Sequence, residues 1–179
     1  MIGIIDADLI TRKKHRFPNL ASMKISGHYK AQGNDTRLIM SYEEDLAAYE
    51  KIYISKVFTN TEIPEGVLRL ETVTCGGSGF YCNKAPALPA EIEHARPDYS
   101  LYDGFMERLR AAGSKPSELK SYTDYSIGYL TRKCFRGCKF CVNQDYKAVE
   151  AASPLEEFLE RDRKKICLLD DNFLGFRGW

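Results

Sequence analysis

Short apolar runs alternating with helix-type segments constrain this chain more than any other feature. Ile2-Gly-Ile-Ile-Asp-Ala7 is a short apolar run that ends among acidic residues and reads as a buried strand. Residues 18–33 carry Leu20, Met23, Ile25 and Tyr29 at helical spacing, with a proline at the start and a glycine at the end. Residues 37–41 predict a second strand. Ser41-Tyr-Glu-Glu44 then predicts a capping box, opening a helix with Leu46, Ala47 and Tyr49 inward. Residues 51–58 read as a third strand and residues 67–73 as a fourth, ending at Gly76-Gly77-Ser78-Gly79. Strands and helices alternating through short connections predict an α/β fold with a doubly wound parallel sheet over residues 1–82. Ligands in such sheets sit beyond the carboxyl ends of the strands. The glycine loop lies at such an end, but it lacks the GxGxxG spacing and is read as a tight turn.

Residues 83–124 contain Pro86, Pro89 and Pro97, which break helices, and are read as a linker holding one helix over residues 103–112. A second unit, residues 125–179, opens with the strand Tyr125-Ser-Ile-Gly-Tyr-Leu130. Ser153-Pro-Leu-Glu-Glu157 has the cap, proline and first-turn acids of a helix start, and that helix is expected to run to Lys165. A strand, Ile166-Cys-Leu-Leu169, follows and ends at Asp170-Asp171-Asn172.

Composition narrows the function classes. Formal net charge is +1, which gives no electrostatic case for nucleic acid or an anionic membrane as the main partner. The basic string Arg12-Lys13-Lys14-His15-Arg16 is read as a solvated loop. No apolar run reaches the roughly 18 residues of a membrane span, and the acidic start has no secretory n-region. A cytoplasmic protein is expected. Its six cysteines are then thiols rather than a disulfide framework. Cys75, Cys82 and Cys167 are read as small buried hydrophobes.

The other three stand together in Cys134-Phe-Arg-Gly-Cys138-Lys-Phe-Cys141, a C-x3-C-x2-C string. Closely spaced thiolates on a turning loop can bind three corners of a 4Fe–4S cube and leave the fourth iron open. The string, placed after a strand and with an aromatic residue before its last cysteine, resembles the signature of the radical SAM superfamily. The resemblance implies that residues 125–179 form the first strand–helix–strand part of a partial TIM barrel. It implies a 4Fe–4S cluster on Cys134, Cys138 and Cys141, S-adenosylmethionine (SAM) on the open iron, and an external electron donor. Phe140 would lie near the adenine. Asp170, Asp171 or Asn172 would meet the methionyl group, although the family's Gly-Gly-Glu motif is not present at that position.

Residues 88–93 and 97–102 look like the segment that joins an N-terminal cobalamin-binding-type domain to such a barrel, so residues 1–82 resemble that Rossmann-type domain. The DxHxxG element of cobalamin binders is missing, because His15, His28 and His94 all lack that context. That departure counts against cobalamin. Residues 125–179 hold two strands where the family's barrel has six units, so the chain looks truncated within the barrel. The apolar strand 166–169 then has an open edge, which predicts self-association, or disorder of the region after about residue 125. Two other readings stand beside this one. Three thiolates with Cys167 would make a zinc module, and the first domain would alone bind a nucleotide or corrinoid.

Overall fold

The computed structural model describes residues 1–12, 17–81, 84–141, 143 and 145–178. The chain divides into two compact units, Met1–Thr123 and Asp124–Trp179.

The first unit is α/β. Its elements are β1 (Ile2–Asp6), α1 (Ala7–Thr11), α2 (Leu20–Ala31), β2 (Thr36–Leu38), β3 (Lys51–Ser55), α3 (Glu65–Leu68), β4 (Val73–Gly76), α4 (Ser78–Tyr81), α5 (Ala90–Glu93), α6 (Asp103–Ala111) and α7 (Lys120–Thr123). The four strands form one all-parallel sheet in the order β2-β1-β3-β4. Every residue of β1 is buried, as a central parallel strand covered on both faces requires. Successive side chains of β1 enter opposite cores. Ile4 joins Met23 and Ile25 of α2, whereas Ile5 joins Ile39, Ile52, Ile54 and Val67.

The predicted strands β1 to β3 form: β1 and β3 end earlier than expected, at Asp6 and Ser55, and β2 is shifted to Thr36–Leu38. Helix α2 forms as well, just after Pro18, with Asn19 as its cap and the Asn19 side chain accepting the Ser22 N–H at 3.1 Å. Two local expectations fail. The Ser41 box does not open an α-helix. Ser41 Oγ accepts the Glu43 N–H, Glu44 reaches back to the Met40 N–H, and Asp45 caps a single 3-10 turn over Leu46–Ala48. Residues 67–70 do not form a strand. Pro64 leads into the one-turn helix α3, which delivers Val67 to the core, and the fourth strand is β4 alone.

The linker expected over residues 83–124 is overturned for residues 84–123. Ile92, Leu101, Tyr102, Met106 and Tyr122 are buried in the same core as Ile4 and Met23. Polar ties fix the segment further. Lys24, buried on α2, reaches Glu93 through both its carbonyl and its carboxylate, the latter at 2.8 Å. Asp98 takes hydrogen bonds from Ser26 and Ser100 and an ion pair from Lys30. Burial opposes ionisation of Asp98, yet Lys30, Ser100 and Ser26 together hold its carboxyl below the ordinary range. The prolines thus mark turns in a packed chain.

Gly27 of α2 makes the closest approach. A β-carbon there would overlap the Arg96 carbonyl oxygen, and the neighbouring Asp98 N–H donates to Met23 O. We expect Gly27→Ala to cost the first unit about 1–3 kcal/mol, as overpacking does, although alanine is the better helix former. Gly104→Ala on α6, where a β-carbon meets nothing within 4 Å, is the control and is expected to stabilise by up to about 1 kcal/mol. Urea unfolding of both variants checks this; equal midpoints would show that residues 96–98 do not press on α2.

The second unit contains β5 (Tyr125–Gly128), β6 (Thr131–Arg132), β7 (Glu150–Ala151) and β8 (Lys165–Leu168). Strands β5 and β8 pair in parallel, and β6 and β7 pair antiparallel. The strand–helix–strand expectation is corrected here. Among the described residues the connection from β7 to β8 holds only a 3-10 turn, Leu155–Glu157, instead of a helix from Ser153 to Lys165. Leu155, Phe158 and Leu159 supply apolar spacing for one turn, and the charged run 160–165 supplies none beyond it. The turn drives Phe158 into the interior against β5 at Gly128, where no β-carbon would fit.

Candidate metal-binding loop and the buried carboxylate of the first unit

The cysteine string sits on an excursion whose two ends are fastened together. Thr131 pairs with Ala151 and Arg132 with Glu150 in the β6–β7 ladder, and the Lys133 ammonium meets the Glu150 carboxylate at 2.7 Å. Residues 133–149 therefore leave and rejoin the unit at one point. Cys134 follows directly on this stem.

At the start of the loop Lys133 has φ 71°, and Gly137, between the first two cysteines, has φ 57°. Both lie in the left-handed region, which only glycine enters without steric cost. The Cys141 N–H donates to Cys138 O at 2.9 Å, and the Asn143 N–H donates to Cys141 Sγ at 3.4 Å. Cys134, Cys138 and Cys141 are all free and half-buried. Phe140 is 92% exposed, so it does not pack the loop.

The residues after β8 come to the base of this loop. Asp170 accepts the N–H groups of Leu130 and Thr131 and the Thr131 hydroxyl. Asp171 accepts the Lys133 N–H at 3.2 Å. Asn172 Nδ2 is buried without a hydrogen-bond partner. Gly175 lies between that nitrogen and the ring of Phe135, one residue past Cys134.

The donor set suits an iron–sulfur cube in its chemistry: three accessible thiols on a short turning loop, an N–H directed at one sulfur, and an unmet amide donor alongside. The sulfurs are not gathered, however. Among the described residues no three His, Cys, Asp or Glu side chains stand together as a metal site. Cys167 lies on β8 opposite Ile127, and burial pushes its thiol up. Cys75 lies on β4, and burial raises its thiol too, against the opposing charge of Lys56. Cys82, His15 and the basic string from Lys13 to Arg16 lie outside the described residues.

A second polar cluster, with no local signature in the sequence, closes the carboxyl ends of β1 and β3. Tyr102 donates to Asp6 Oδ2 at 2.8 Å and accepts the Asn19 N–H at 2.9 Å. Asn19 Nδ2 donates to Ser55 Oγ at 2.9 Å, and Asp6 Oδ1 accepts the Leu9 N–H at the head of α1. Burial pushes the Asp6 carboxyl up to about 7, with the Asp8 charge adding to the shift and the Tyr102 hydrogen bond opposing it. Asp8, equally buried, takes the Val57 N–H and the Thr61 hydroxyl. An acid at a strand end was visible in the sequence, but its partners at positions 19, 55 and 102 carry no local signal. The Gly76–Gly79 segment is a tight connection from β4 into α4, with Gly77 at φ 101°.

No helix among the described residues is long and apolar enough to cross a membrane. Comparison with protein-family models, with curated proteins and with solved structures found no match.

Proposed function

We propose that residues 125–179 are the cluster- and SAM-binding segment of a radical SAM enzyme, with Cys134, Cys138 and Cys141 as the iron ligands. The observation that carries this reading is the loop itself. Three thiols, and no other metal-binding side chain type in their string, stand on one excursion closed by the antiparallel β6–β7 stem, which follows the parallel strand β5. When bound, a 4Fe–4S cluster would supply the electron that breaks a carbon–sulfur bond of SAM, chemistry that belongs to the cofactors.

The chain's own residues hold and orient. The three sulfurs bind iron once deprotonated. The Asn143 N–H directed at Cys141 Sγ stabilises negative charge on that sulfur. The exposed ring of Phe140 offers a flat apolar face for an adenine. The Asn172 amide offers a donor beside Phe135 to a bound acceptor. The parallel sheet of the first unit is compatible with a Rossmann-type domain of cobalamin-binding character, without the histidine element that would hold cobalamin. In this reading the protein is cytoplasmic, takes electrons from an external donor, and pairs with a further strand or a second copy along the outer edge of β8.

Reconstitution with iron and sulfide without oxygen tests the reading. The wild type is expected to turn brown, with thiolate-to-iron absorption and about four irons per chain, and to gain thermal stability from SAM only in that form. Cys138→Ala is expected to lose both. A colourless wild type holding one tight zinc ion would instead establish the zinc module, and stabilisation by nucleotide or corrinoid without iron would favour the first unit as the binding part.

A further inference from the structure

Resting on the cluster assignment above, we propose that Asp170 is a positioning residue that aims the cysteine loop, with Asp171 as its second contact. Asp170 Oδ1 accepts the Leu130 N–H at 3.1 Å, and Oδ2 accepts the Thr131 N–H at 2.7 Å and the Thr131 hydroxyl at 2.5 Å. Asp171 Oδ2 accepts the Lys133 N–H at 3.2 Å. Backbone donors at 130, 131 and 133 thus converge on two adjacent carboxylates at the end of β8, and the next residue is Cys134.

Thr131 is fully buried, so its bonds to Asp170 are screened from competing water. Lys133 is the single non-glycine residue with positive φ among those described. Side-chain-bearing residues hold that conformation only when their surroundings impose it. Here the Asp171 bond and the Lys133–Glu150 ion pair act on Lys133 from two sides. The direction in which Cys134 leaves the sheet is therefore fixed from β8, 36 residues later in the chain. Both oxygens of Asp170 are engaged in this fastening. That narrows the expected methionyl contacts to Asn172 and to the free oxygen of the more exposed Asp171.

Outer residues that orient metal ligands typically change affinity by about 10–100-fold when lost. Asp170→Asn keeps the shape but turns an N–H2 toward donors, so it is expected to behave like Asp170→Ala. Both should retain iron about 10–100-fold less well against a chelator and show an altered electron paramagnetic resonance spectrum of the reduced cluster. Thr131→Val, losing one bond of three, should fall between these and the wild type, and Thr131→Ser should restore wild-type retention. In the iron-free protein, Asp170→Ala should lose exchange protection at the Leu130 and Thr131 amides, while the Leu169 amide, bonded to Gly128 O, keeps its own. Wild-type uptake matched by Asp170→Asn, with the same spectrum, overturns the positioning role alone. Absence of uptake by the wild type overturns the cluster assignment and the role of Asp170 toward it together.

Discussion

Raising the pH from about 4 to about 7 should remove about 4 kcal/mol of stability from the first unit, and Asp6→Asn should abolish that slope. Asp6 binds its proton up to about 7 in the folded chain against 3.8 as a free group, and each pH unit of that gap is worth about 1.36 kcal/mol. The sign follows from proton counts. Between the two values the folded state holds a proton that the unfolded state has released, so stability falls as pH rises and levels off above 7. Asp98 works in another window: its lowered carboxyl contributes stability that is lost only as pH falls through the acid range. Asp6→Asn carries its own cost, because its single amide oxygen replaces the two that accept from the Tyr102 hydroxyl and the Leu9 N–H, which leaves one donor facing an NH2 at about 1–3 kcal/mol. The variant should therefore be the weaker protein at pH 5 and approach or pass the wild type at pH 8. Urea unfolding across that range, followed at the protected Ile39 and Ile52 amides, reads it. Parallel curves for the two proteins would rule out Asp6 as the titrating group.

Phe158→Ala should unfold most of the second unit while leaving the first intact. Phe158 is among the few fully buried large side chains there, beside Ile127 and Thr131. Truncating a buried phenylalanine costs about 3–5 kcal/mol, comparable to the whole stability of a small core. Exchange protection at the Leu169 and Lys165 amides, which bond to Gly128 O and Asp124 O, should collapse, with Ile39 and Ile52 unchanged. Gly128 offers a cross-check, since Gly128→Ala would drive a methyl into the Phe158 ring. Alone it should destabilise. In the Phe158→Ala background it should be close to neutral, so that the pair is strongly non-additive. Additive effects would show that the ring does not rest on Gly128.

What could be read from the sequence was what neighbouring residues decide. The apolar run at 2–5 became a parallel strand because a central strand needs no partner-specific pattern, only unbroken burial, and 51–55 followed from its alternation of Ile52 and Ile54 with Lys51 and Tyr53. The cysteine spacing was legible because it is a statement about one loop. Caps misled where the apolar stripe behind them was short: Ser41 and Ser153 each carry a start signal, and each yields a single 3-10 turn. Prolines misled in 84–123 because they report broken helices and say nothing of burial, which Tyr102, Met106 and Tyr122 show to be extensive. Distance along the chain hid the rest. Neither the Asp6–Tyr102 bond nor the Asp170–Thr131 clasp has a local signature, since each joins residues dozens of positions apart.

The Asp6–Tyr102 bond spans 96 positions, and that span sets an order of events during synthesis. A ribosome adds roughly 5–20 residues each second, so the first strand waits on the order of 5–20 seconds before the tyrosine that seals it exists. Over that interval the carboxyl at its tip is hydrated and ionised, and the face later covered by Ile92, Leu101 and Met106 is bare. Folding that depends on so distant a contact is slow. Maturation of the N-terminal half is thus timed by the arrival of its last helices, and a nascent chain halted before residue 102 is the form most in need of a chaperone.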